Sequence, residues 1–156
     1  MSEPSPAFML DTNVFSRVVD GVIPVPAAAG RRLLVTGVQA DECRATPCPA
    51  RRAELLRAIE ELAPELCLAS TFCLGIEGAG FGQAEWNDGS GRFDAMLTRL
   101  KAIDRKPPRQ HVNQIRDIVI AETALKLGAT LVSDDGALRQ IVLEFGGTAD
   151  PSSHLT

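Results

Sequence analysis

Phe8-Met9-Leu10-Asp11-Thr12-Asn13 is the stretch that most narrows the folds open to this chain. A short apolar run stops abruptly at a carboxylate, and the two residues after it favour helix N-caps. The pattern predicts a buried strand whose carboxyl end presents Asp11 and hands over at once to a helix. In open α/β sheets the working crevice lies outside the carboxyl ends of the strands, so Asp11 stands where geometry places function. Capping the next helix is the other role open to it.

The same alternation recurs downstream. Residues 14–19 read as a short helix ended by Gly21, Pro24 and Pro26. Leu33-Leu34-Val35 reads as a second strand running into Thr36, which with the acidic residues Asp41 and Glu42 after it marks a helix start. Pro49 opens an amphipathic helix, with Leu55, Leu56, Ile59 and Leu62 at helical spacing, that ends at Pro64. Residues 75–91 hold six glycines with Trp86 and Asn87-Asp88-Gly89 among them. No Lys-Ser/Thr pair follows these glycines, so the segment reads as a flexible loop or lid and not as a phosphate cradle.

The last third carries the clearest signals. Residues 92–103 read as a helix and 106–109 as a linker. Asn113 is placed to cap a helix whose apolar face is Ile115, Ile118, Val119 and Leu125 and which Gly128 stops, with Asp117 in its first turns. Thr130-Leu131-Val132-Ser133 is a strand ending in Asp134-Asp135, and Leu138, Ile141, Val142 and Phe145 define a final helix closed by Gly146-Gly147. This order predicts an α/β fold of three layers, α/β/α, with a central, mainly parallel sheet, built from residues 1–156 as a single domain.

Length and composition agree, since 156 residues fit one domain and 45% apolar with 23% charged is ordinary for a globular chain. No apolar run is long enough to span a bilayer, and Met-Ser-Glu-Pro-Ser-Pro is unlike a signal peptide, so a cytoplasmic protein with no membrane partner is expected. Cys43, Cys48, Cys67 and Cys73 lack metal-ligand spacing and only His111 and His154 accompany them, which argues against zinc and for reduced packing thiols. The net charge of −4 means that a nucleic-acid partner would need local arginines or bound cations.

Strand ends and helix starts send Asp11, Glu42, Asp117 and Asp134 or Asp135 toward one edge of the predicted sheet. Carboxylates crowded together repel and raise one another's pKa unless a cation offsets them. All-oxygen ligation suits Mg²⁺ or Mn²⁺, and such a site can activate water and neutralise a phosphodiester during in-line displacement.

Asp11-Thr12-Asn13 resembles the opening motif of PIN-domain nucleases. Val35-Thr36-Gly37-Val38-Gln39-Ala40-Asp41-Glu42 resembles the family's second acidic segment, and the stretches from Asp117 to Ala124 and from Leu131 to Leu138 are similar to its C-terminal half. The likeness covers most of the chain but is weak over residues 68–110. It implies a metal-dependent endoribonuclease, and small single-domain members are often VapC-type toxins of toxin–antitoxin pairs. By position, Asp11, Glu42, Asp117 and Asp135 would be the catalytic, metal-binding residues. Asp135 is preferred to its neighbour Asp134 because the family pattern places its Asp two residues after the Thr/Ser, here Ser133. Thr12, Asn13 and Ser133 would orient carboxylates or water, with Asp134 assisting. The cofactor would be Mg²⁺ or Mn²⁺, the products 5′-phosphate and 3′-hydroxyl ends, and the partners RNA, a cognate antitoxin and a second copy in a homodimer. Arg17, Arg31, Arg32 and Arg44 lie near enough in sequence to the acidic segments to reach RNA phosphates. Two other classes stay open: a phosphatase or phospho-acceptor domain, disfavoured because Asn13 stands where a second Asp is needed, and a catalytically silent binding module of the same fold.

Overall fold

The computed structural model describes residues 5–25, 30–71 and 73–156; Met1, Ser2, Glu3, Pro4 and the predicted helix terminator Pro26 lie outside them. β1 (Ala7–Leu10) is the central strand. It lies parallel to β2 (Arg32–Thr36) on one side, with Met9 opposite Leu34, and to β4 (Thr130–Val132) on the other, with Met9 opposite Leu131. Two short strands complete a five-stranded, wholly parallel sheet in the order β3-β2-β1-β4-β5: β3 (Glu65–Cys67) and β5 (Thr148–Asp150).

Strand alternation divides the interior into two layers. Met9, Leu34 and Leu131 face one side with buried residues of α4 (Arg92–Ile103), α5 (His111–Leu127) and α6 (Gly136–Glu144). Leu10, Leu33, Val35 and Val132 face the other, against α1 (Thr12–Val19) and α3 (Pro49–Leu62). A one-residue register slip would exchange these faces. Each fully buried aliphatic side chain contributes about 1.5–3 kcal/mol, so the register is strongly held. The fold is therefore the expected three-layer α/β/α arrangement, with every strand parallel.

α2 (Gly37–Arg44) leaves β2 without a loop. Its start is a reciprocal cap: Val38 N–H donates to Thr36 Oγ1 at 3.2 Å, and Thr36 N–H donates to Gln39 Oε1 at 3.0 Å. The capping partner is thus Gln39, not one of the acidic residues that follow. Gln39 is fully buried, and its Nε2 also donates to Leu10 O at 2.9 Å, tying α2 to the end of β1.

Several boundaries differ from the sequence expectation. α5 begins at His111, not after Asn113, because the 3-10 turn Pro108–Gln110 runs directly into it. Proline presets φ for a helical first position, so the turn nucleates early. β3 and β5 escape the periodicity because each has three residues and neither is fully buried. Cys43 is buried, but Cys48 is exposed and stands at the N-cap of α3, so it is no packing thiol.

The Gly-rich stretch forms neither helix nor strand of its own, yet it is fastened, which corrects the flexible-lid expectation. Ile76 and Ala79 enter the core, and Ala69 bridges Ala84. Gly78 lies directly on the start of α2: at its φ of +87°, an added Cβ would come within 2.2 Å of Gly37 C. Glu122 of α5, only 3% exposed, accepts from Ser70 Oγ at 2.6 Å, Thr71 Oγ1 at 2.7 Å and Arg92 Nε at 3.3 Å, binding both ends of the segment. Among the described residues no helix is long and apolar enough to cross a membrane.

Candidate acidic site at the carboxyl edge of the sheet

Asp11 directly follows β1 and caps α1, so the capping role open to it in the sequence is filled. Its Oδ1 accepts the Thr12 N–H at 2.8 Å; its Oδ2 accepts Ser133 Oγ at 2.6 Å and Asn13 Nδ2 at 3.2 Å. Ser133, fully buried just past β4, is thereby joined to the neighbouring strand end, and its Oγ also accepts the Asp135 N–H at 3.0 Å. Thr12 turns outward to donate to Glu42 Oε2 at 2.5 Å, which links α1 to α2. Thr12, Asn13 and Ser133 therefore make orienting contacts to carboxylates, while Asn13 Oδ1 also accepts the Asp134 N–H at 3.4 Å.

Asp117 and Asp135 complete the group. Asp135 caps α6, its Oδ1 accepting from Ala137 N and Leu138 N at 3.0 and 3.2 Å. Asp117 projects from the second turn of α5. Burial pushes its carboxyl well above the ordinary aspartate range, and the negative charges of Asp11, Glu42, Asp135 and Asp104 push it further. Burial likewise raises Asp11, against the hydrogen bonds from Ser133 and Thr12 and with help from Asp135 and Asp134. Glu42 is raised by burial and by Asp11, against the Thr12 hydrogen bond and the charge of Arg116. The predicted carboxylates thus sense one another at one edge of the sheet. Among the described residues, however, no three acidic, histidine or cysteine side chains converge within ligating reach of one point. In donor chemistry the set is all oxygen and suits a hard dication.

Asp134 points away from this group. It accepts Ser152 N and Oγ at 2.9 and 2.8 Å and pairs with Arg17 Nε at 2.9 Å. Its partial burial is outweighed by those bonds, which hold its carboxyl below the ordinary range.

No protein-family model matches the chain. No curated protein matches it either. Among solved structures, the crystal structure of VapBC2 from Rickettsia felis bound to a DNA fragment from their promoter contains a similar chain, with TM-score 0.56 and 13% identity over 93% of this chain and 98% of that one. The fold is PIN-like. At that identity the likeness is one of architecture.

Within this PIN-like architecture the four predicted arginines scatter. Arg31 and Arg32 stand at the amino end of β2, opposite the carboxylate edge; Arg31 lies over the Phe8 ring at 5.4 Å and Arg32 pairs with Glu65 at 3.1 Å. Strand polarity explains this, since sequence proximity to an acidic segment does not say which end of the strand a residue occupies. Arg17 is tied to Asp134, and Arg44 is exposed beside a cavity of about 270 Å³ that Asp41, Glu77 and Gly78 also line. Gln39, which holds α2 in place, and Arg116, whose charge reaches Glu42, are not among the residues expected at the site. Gln39 was within reach as the third residue after Thr36, a capping-box position. Arg116 carried no signal beyond standing next to Asp117.

Proposed function

We propose that this chain is a Mg²⁺- or Mn²⁺-dependent endoribonuclease acting as the toxin of a toxin–antitoxin pair. The observation that carries the reading is the gathering of Asp11, Glu42, Asp117 and Asp135 at the carboxyl edge of the sheet with three of them raised by burial and mutual repulsion. A dication held by these carboxylates would lower the pKa of a water and neutralise charge developing on a phosphodiester. Asp11 is fixed for such a role by Ser133, Asn13 and the Thr12 N–H, which immobilise both its oxygens. Thr12 fixes one oxygen of Glu42, and the cap on α6 engages one oxygen of Asp135. The second oxygens of Glu42 and Asp135 accept no hydrogen bond among the described residues and remain available to a ligand.

The architectural likeness to a chain of a VapBC2 complex supports the toxin reading, and with it an antitoxin partner. A catalytically silent module of the same fold is the second reading, favoured by the spread of the carboxylates around no single point.

Cleavage of a structured RNA pool with Mg²⁺ or Mn²⁺, with EDTA and with Asp11→Asn decides between them. The expected result is metal-dependent cuts with 5′-phosphate ends, lost in Asp11→Asn. Cleavage that survives Asp11→Asn would overturn the site, and no metal binding together with no cleavage would leave the silent module.

A further inference from the structure

Arg116 is the residue whose environment the fold leaves least explained. It precedes Asp117 on α5, and its Nε is buried without a hydrogen-bond partner. Its one side-chain hydrogen bond runs from Nη1 to Asn113 Oδ1 at 3.4 Å, long for a charged donor. Among the described residues it is one of several arginines with no carboxylate within ion-pair distance, and the only one with a guanidinium nitrogen both buried and without a hydrogen-bond partner. Leaving a buried guanidinium donor unmatched costs free energy that a fold ordinarily avoids. Yet its charge is felt at Glu42, so it stands beside the acidic group without bonding to it.

If Arg116 served only to neutralise the carboxylates, a direct ion pair would be the better arrangement. Instead Nη2 donates to nothing among the described residues and, unlike Nε, is not buried, which leaves it open to an acceptor from outside, and a guanidinium suits phosphate oxygens. An acidic protein of net charge −4 also needs a cation of its own where a polyanion approaches its most negative edge. Of the four arginines expected to do this, Arg31 and Arg32 are at the far end of β2, Arg17 is committed to Asp134, and Arg44 closes α2 beside the cavity that Asp41 and Glu77 line.

We propose that Arg116 grips a backbone phosphate of the RNA at the carboxylate edge, a role that rests on the endoribonuclease reading above. The residue positions substrate and takes no part in proton transfer.

The test compares wild type, Arg116→Gln, Arg116→Lys and, as a charge control on the exposed face of α3, Arg57→Gln, all checked by thermal melting. With cleavable RNA, Arg116→Gln is expected to lower kcat/KM by about 10- to 100-fold, mainly through KM, and Arg116→Lys to recover part of it. Binding of RNA to Asp11→Asn, followed by fluorescence anisotropy against salt, is expected to weaken when Arg116→Gln is added, with the salt slope falling by about 0.7, the value for one phosphate contact on a single strand. Unchanged KM and an unchanged slope in a wild type that cleaves would overturn the Arg116 assignment and leave the nuclease reading standing. A wild type that neither cleaves nor binds RNA would overturn the nuclease reading and the assignment with it.

Discussion

Asp117 shows the conflict built into the acidic edge at the level of one residue. Burial and four neighbouring carboxylates raise it, so the folded chain holds the Asp117 proton more tightly than the unfolded chain does. Between the unfolded value, about 3.9, and the raised folded value, the native state therefore binds more protons, and stability falls as pH rises through that window. Asp117→Asn keeps the shape and removes the charge. In EDTA it should match wild type below about pH 4 and melt higher at neutral pH, by roughly 2–4 °C if about 1 kcal/mol is recovered. Calorimetry across pH checks this, and a melting point lowered at pH 7 would show that the repulsion is offset elsewhere. Ser133 belongs to the same scale: Ser133→Ala removes the 2.6 Å bond to Asp11 and the acceptor for Asp135 N–H. The expected loss is about 1–3 kcal/mol in denaturant unfolding, because a buried carboxylate loses a donor.

Two elements meet at α2, and each contact there is testable. Gln39 satisfies Thr36 N–H and Leu10 O together, so Gln39→Leu should destabilise by about 2 kcal/mol or more and shift Glu42 relative to Asp11. A matching fall in cleavage, larger than that of an equally destabilising core substitution away from the site, would separate the positional effect from the stability effect. From above, Gly78 packs on Gly37 so closely that any Cβ meets backbone. Gly78→Ala must push the Gly-rich segment off α2, at an expected cost of about 1–3 kcal/mol, read as a lower denaturant midpoint and faster proteolysis across residues 75–91. Unchanged proteolysis would show that the Glu122 cluster alone fastens the segment.

On the scale of the whole molecule, a ligand that binds only the folded chain stabilises it by mass action. Mg²⁺ or Mn²⁺ should raise the melting temperature progressively with concentration, EDTA should reverse the rise, and Asp11→Asn should flatten it. A flat titration in wild type would favour the silent module. The two core layers meet on either side of β1, which occupies the middle of the sheet and carries Asp11 at its end. The acidic edge is consequently anchored from both layers at once.

Strands β1, β2 and β4, the helices after them and the positions of Asp11, Glu42, Asp117 and Asp135 were legible because each is written in local order: an apolar run, a cap, a period of 3.6. Those patterns arise from backbone sterics and hydrogen bonding within a few residues, and they survive without knowledge of neighbours. β3, β5, the fastening of the Gly-rich segment, the tie of Gln39 to Leu10 and the partners of Asp134 were not legible. Their meaning rests on partners far away in the chain, such as Leu10 for Gln39, 29 positions apart, and Arg17 for Asp134, 117 apart. Two acidic neighbours, Asp134 and Asp135, look alike in sequence; one turns to Arg17 and Ser152 and the other caps α6 beside the carboxylate group. That choice depends on where β5 and the turn after it come to rest against β4, and only packing of the completed sheet sets it.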